Sequence, residues 1–295
     1  APFRPFPLAL LCFAFLFPIL YAIYKESSLY GGMRHFLFAY SCGLVLASLG
    51  WDTLLRWAGN RQTIRYAVIG VFSLLLLEPA IFLAQNRKLG YIYFNLPSGG
   101  IKSAQGNYDL DHQGISTKQG IRWMEKEGIL SENMTDTITI ASNFTYGLKS
   151  ILKDSYKDKV KVTYVRYRER YSRPWDYAIF LCHFMDGAYI RQGGFPPDRS
   201  IHDIQVSGVP VAAVLKKGEN FAFKGTEAAK RNDWQAVVTW MEQEVAAHPR
   251  NEIAWQELGN AYMQLNQLEK AKNAIDQTLA ISPENLTSLN NLGLY

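Results

Sequence analysis

The chain has 295 residues, of which 48% are hydrophobic and 14% aromatic; 31 Lys+Arg against 26 Asp+Glu give a net charge of +5, and the mean hydropathy is −0.11. The aromatic content excludes a disordered polypeptide, and three cysteines, two of them (Cys12 and Cys42) inside apolar runs, exclude a disulfide scaffold. Long uncharged stretches within the first 87 residues exclude a purely soluble chain, and charge also divides the sequence into halves suited to different partners: residues 1–217 hold 25 basic against 16 acidic side chains, whereas 218–295 hold 6 against 10.

Arg4 and Lys25 bracket twenty residues without a charge, and Arg65 and Arg87 bracket twenty-one that contain only Glu78. A hydrocarbon core of about 30 Å takes roughly 20 helical residues. The pattern therefore predicts a transmembrane region over 1–87 with three helices, about 5–24, 36–57 and 66–86. A signal peptide would have a shorter apolar core, and two more spans would not follow it. Arg56, Arg61 and Arg65 place the second loop in the cytoplasm, with the first loop and everything after about residue 87 on the opposite side. Asp52 and Glu78 lie within about two turns of a span end, where interfacial water reaches them.

Residues 88–217 read as a small α/β domain. Thr137–Ser142 and Lys159–Tyr167 are rich in β-formers, Trp175–His183 suits a buried strand, and Ser207–Leu215 continues the series. Lys118–Glu127 and Tyr146–Lys153 have helical spacing, so strands and helices alternate and a parallel component is expected. No glycine-rich phosphate fingerprint follows the first strand, and no nucleotide site is indicated. Asp109-Leu-Asp111 offers two carboxylates that could meet one hard cation, or else a capping or turn element; a divalent metal is the one cofactor left open. The basic aromatic run Tyr164–Tyr177 reads as a solvated strand edge near a membrane surface, and no nucleic-acid partner is expected.

In residues 218–295 a period of 34 appears: Gly225 and Gly259, Trp234 and Leu268, Pro249 and Pro283. Trp255, Leu258, Gly259, Tyr262, Ala271 and Pro283 have the spacing of a tetratricopeptide unit, in which small residues let two helices approach and large ones fill the space between units. The units before and after it are degenerate or partial. Such helical arrays bind peptides or partner proteins.

Three stretches together resemble bacterial integral-membrane glycosyltransferases of the GT-C type, the class of the protein O-mannosyltransferases and aminoarabinose transferases. The first is Leu29-Tyr-Gly-Gly-Met-Arg-His-Phe-Leu-Phe-Ala-Tyr40. The second runs from Tyr91-Ile-Tyr-Phe-Asn95 through Gly99-Gly100 to Gly106-Asn-Tyr-Asp-Leu-Asp111-His-Gln-Gly114. The third runs from Trp175-Asp-Tyr-Ala-Ile through Gly194-Phe-Pro-Pro197 to Gly208-Val-Pro-Val-Ala-Ala-Val-Leu-Lys216. The sequence departs from the family pattern at Ser103-Ala-Gln105 and at His112-Gln113.

The resemblance implies the C-terminal part of an enzyme of the bacterial inner membrane. Such an enzyme moves a sugar from a polyprenyl-phosphate carrier to an acceptor on the periplasmic side, with residues 88–295 periplasmic and an acidic catalytic residue upstream. Arg34 and His35, at the head of the second span, are the expected contacts to the carrier phosphate, where two cations would stabilise the negative charge that develops on a leaving phosphate. Asp109 and Asp111 are expected to contact acceptor or metal. The alternative is a membrane-anchored scaffold without catalytic activity, whose repeats recruit a partner protein.

Overall fold

The computed structural model describes residues 5–27 and 35–293, and the chain divides into two compact units, Ala1–Ile81 and Phe82–Tyr295. The first unit contains α1 (Pro5–Tyr24), α2 (Leu37–Ala58) and most of α3 (Gln62–Gln85). All three helices are long and apolar enough to cross a membrane. Their outer faces carry exposed apolar side chains such as Leu10, Phe13, Leu20, Leu44, Leu74 and Leu75, surface that water would not tolerate at this density. Polar groups within the helices are satisfied locally: Ser48 and Thr53 donate to the carbonyls of Leu44 and Leu49, each at 2.8 Å, and Asp52 pairs with Arg56 one turn on at 2.8 Å. Helix α3 starts four residues before its apolar run because Gln62–Arg65 continue the helix beyond the length that apolar composition marks.

The second unit combines a mixed sheet with a helical tail. Short helix α4 (Gly100–Ala104) and the longer α5 (Ile115–Lys126) precede β1 (Ile138–Ser142), α6 (Leu148–Ile151), β2 (Val160–Tyr164) and β3 (Tyr177–Leu181). Then come α7 (Gly187–Arg191), β4 (Ser200–Val206) and β5 (Val209–Lys216). The sheet order is β2-β1-β3-β5-β4: β2, β1 and β3 run parallel, and the β4–β5 hairpin adds antiparallel on β3. Residues 178–181 and 211–214 are fully covered, which explains why β3 and β5 read as continuous apolar runs; each Ile, Leu or Phe buried there contributes about 1.5–3 kcal/mol. Strand β4 was not among the expected strands. It is a bulged edge strand of mixed polarity, joined to β5 through Ser207 and Gly208, both at positive φ as a tight hairpin turn requires.

The run after β2 departs from the expected strand edge. Regular pairing stops at Tyr164, Tyr167–Glu169 form a 3₁₀ turn, and Arg170 is buried rather than solvated. Arg170 turns inward because a distant carboxylate, Glu252, receives it.

The tail consists of α8 (Phe221–Lys230), α9 (Trp234–Ala247), α10 (Glu252–Gln264), α11 (Leu268–Ile281) and α12 (Leu286–Leu292), each packed on the next. The 34-residue period of the sequence is also a period of the structure. Helices α9 and α11 begin at 234 and 268 and end at 247 and 281. Asn232 and Asn266 both take positive φ just before them. Asn251 and Asn285 cap α10 and α12 through Ala254 and Ser288. A Cβ on Gly225 would meet Met241, and one on Gly259 would meet Ile275, the same pairing one period on.

Two buried ion pairs join this tail to the sheet layer. Arg170 donates to both oxygens of Glu252 at 2.7 and 2.9 Å, and to Asn251 Oδ1 at 2.9 Å. Arg199 Nη2 meets both oxygens of Glu244 at 2.8 and 2.6 Å, and Asn251 links the pairs by donating to Glu244 at 2.8 Å.

Candidate functional site

A cleft of about 380 Å³ opens beside the carboxyl end of β3. In open α/β sheets, ligands settle outside the carboxyl ends of parallel strands, next to the point where the strand order reverses. The local sequence builds that end firmly. Asn143, just after β1, both donates to the Leu181 carbonyl and accepts from its N–H, each at 2.9 Å, which fixes where β3 stops. The chain then turns through Cys182–Phe184, and Asp186 caps α7 by accepting from Ala188 and Tyr189 at 2.7 and 3.1 Å. The opposite wall is the loop 106–110. It lies against α7 because Gly106 and Gly187 meet backbone to backbone; a Cβ on Gly187 would stand 2.4 Å from the Gly106 carbonyl oxygen.

At the mouth of the cleft, His183 Nδ1 lies 3.6 Å from Asp109 Oδ1. The imidazole is mostly covered, whereas Asp109 is 80% exposed. Burial pushes the His183 pKa below its ordinary value, and the Asp109 carboxylate offsets this only in part. The ring is therefore neutral at pH 7 and able to accept a hydrogen bond. Next to it, burial pushes the Cys182 thiol up to about 12, which disfavours the thiolate. Tyr108 exposes two thirds of its surface at the rim, and Arg191 donates to the Gly106 carbonyl. An exposed carboxylate, a neutral imidazole, an amide (Asn107) and an open aromatic ring suit a hydroxyl-rich ligand.

The structure separates the two aspartates of Asp109-Leu-Asp111. Asp111 is 1% exposed and accepts from the Ile115 and Ser116 N–H groups at 2.9 and 3.0 Å, from the Ser116 hydroxyl and from the Tyr91 phenol. It caps α5, where the helix dipole favours a negative charge, and these bonds hold its left-handed backbone in place. Burial and the Asp111 carboxylate together push the Tyr91 phenol far above its ordinary value. Asp109 faces the solvent and Asp111 the interior, so the pair does not present both carboxylates to one ligand. Among the described residues, no group of three or more His, Cys, Asp or Glu side chains is placed to hold a metal ion.

Arg34 lies outside the described residues; His35 is exposed, two residues before α2. In the tail, Leu258 and Ala271 are fully covered and Gly259 gives α10 its close approach to α11. Tyr262 is buried and donates to Glu242 at 2.6 Å, and the half-buried Trp255 donates to the Pro249 carbonyl at 2.8 Å. Pro283 stands in the turn between α11 and α12. Apart from Pro283, these residues pack helices together.

Sequence reasoning missed His183, which it placed inside a strand; the polar His after the apolar run Tyr177–Cys182 was the available signal. It also missed the Arg170–Glu252 and Arg199–Glu244 pairs, for which no local signal exists.

Comparison of the chain with protein families, with curated proteins and with solved structures finds no match.

Proposed function

We propose that this chain is part of a membrane glycosyltransferase of the GT-C type, which moves a sugar from a polyprenyl-phosphate carrier to an acceptor on the periplasmic side. The observation that carries this reading is the meeting of Asp109 and His183 at 3.6 Å. Asp109 belongs to the second stretch that resembles these enzymes, and His183 follows the first matched segment of the third, Trp175–Ile179, by four residues. The same two stretches touch again where Gln105 Nε2 donates to the Pro210 carbonyl at 2.7 Å. Segments far apart in the chain thus supply the two walls of one polar cleft.

In this reading α1, α2 and α3 cross the inner membrane, with residues 88–295 in the periplasm. Arg34 and His35 hold the carrier phosphate and stabilise the charge that develops as it leaves. Asp109 accepts hydrogen bonds from sugar or acceptor hydroxyls, and neutral His183 accepts another. The five helices of the tail are tetratricopeptide units that receive a protein partner, a reading supported by the 34-residue recurrence of helix limits, caps and glycine contacts. That recurrence also favours the second reading, a membrane-anchored scaffold whose only task is recruitment.

Transfer from a labelled polyprenyl-phosphate sugar in membranes containing wild-type, Asp109→Asn or His183→Ala protein separates the two. The transferase reading expects a loss of about tenfold or more in each variant. Transfer that is absent from wild-type membranes, or indifferent to both substitutions, rejects it.

A further inference from the structure

A second concave surface lies between the Tyr171–Pro174 segment, the end of β5 and helices α8 and α9, with a volume of about 670 Å³. Arg173, Lys217, Lys224 and Arg231 line it, and none of these four forms an ion pair among the described residues. The one acid in its lining, Glu227, is already bound to Lys230 at 2.6 Å. Aromatic rings hold two of the cations in place: Lys224 Nζ stands 4.2 Å from the centre of Trp240 and Lys217 Nζ 5.8 Å from that of Phe223. The groove therefore has apolar walls and a surplus of positive charge, since Glu227 is the one acid among four lining cations and faces both Lys230 and Arg231.

We infer that this groove binds an extended acidic peptide segment of a partner protein. Lys224 and Arg231 are two helical turns apart, about 10.5 Å along the helix axis. One phosphate cannot bridge that distance, whereas an extended peptide covers it in three to four residues of about 3.3 Å each. Pro174, Phe223 and Trp240 offer apolar contacts that suit side chains interleaved with the acidic ones, which an anionic polysaccharide lacks. The sheet layer supplies Arg173 and Lys217 and the tail supplies the rest; the Arg170–Glu252 and Arg199–Glu244 pairs, with Phe223 packed on Tyr171 and Trp175, hold the two parts together. The inference depends on neither sugar transfer nor the assignment of the tail helices to a repeat family.

Fluorescence anisotropy of the detergent-solubilised full chain tests it, with a labelled ten-residue peptide that alternates glutamate with leucine and tyrosine, and its glutamine counterpart as control. The glutamate peptide is expected to bind at least about tenfold more tightly, and to weaken as salt rises. The triple variant Lys217→Glu, Lys224→Glu, Arg231→Glu should lose at least about tenfold in affinity, while Lys217→Arg with Lys224→Arg keeps it. Trp240→Ala, which leaves every charge in place, should weaken binding severalfold. Equal binding of both peptides, or affinity unchanged by charge reversal, overturns the inference. So does tighter binding of an oligogalacturonate, which would make the occupant a glycan.

Discussion

Arg170 and Glu252 face each other through two hydrogen bonds of 2.7 and 2.9 Å although 82 residues separate them, and both side chains are more than nine-tenths covered. Burial opposes the charge on Arg170, but the facing Glu252 carboxylate outweighs it and holds the guanidinium well above its ordinary pKa. Removing one partner leaves a buried charge without an answer. Glu252→Ala should therefore destabilise the second unit by about 3–5 kcal/mol, whereas Arg170→Met combined with Glu252→Leu should recover most of that loss. Urea unfolding of the solubilised chain, followed by the fluorescence of the buried Trp175, measures both.

The close approach of α10 and α11 depends on Gly259, where a Cβ would already stand 3.2 Å from Ile275. Gly259→Leu should cost about 1–3 kcal/mol by overpacking. Hydrogen exchange should speed up across both helices while β3 and β5 stay protected. Unchanged exchange would mean that the helices approach less tightly than described.

His183 gives the cleft a defined pH response. Its pKa is lowered in the folded chain by burial, so below the ordinary value of about 6.5 the unfolded chain binds the proton first. Its contribution to stability is present above that pH and is lost as pH falls through the folded pKa. Asp109→Asn removes a charge that favours the imidazolium and should move the titration lower still. The imidazole signals of the five histidines, assigned through His183→Gln, report this directly.

Much of the fold is legible in the sequence, because the signals that build it are local. Uncharged stretches marked α1, α2 and α3, continuous apolar runs marked β3 and β5, and the spacing of Gly225 and Gly259 marked the helical period. Strand β4 escaped because edge residues such as His202, Asp203 and Gln205 carry no apolar signature. Arg170 was read as solvated because its partner lies 82 residues away. The site was legible only in part: Asp109 stands at the cleft and Asp111 is the capping element that the D-x-D pattern also allowed, but His183 was hidden at the end of a strand.

Cysteine labelling checks the orientation. Tyr146 is 94% exposed, whereas the native Cys182 is buried with its thiol pushed up to about 12. In intact spheroplasts a membrane-impermeant maleimide should label Tyr146→Cys and leave Cys182 unmodified. Labelling of Tyr146→Cys only after the membrane is opened would place the second unit in the cytoplasm.

Sugar transfer in native membranes bears most directly on the proposed activity. With a labelled polyprenyl-phosphate sugar as donor, membranes carrying the wild-type gene should transfer label to an acceptor, and Arg34→Ala with His35→Ala should lower the rate by about tenfold or more by removing two cations from the leaving phosphate. Transfer at the wild-type rate in the double variant would contradict the phosphate role, and no transfer by the wild type would contradict the glycosyltransferase itself.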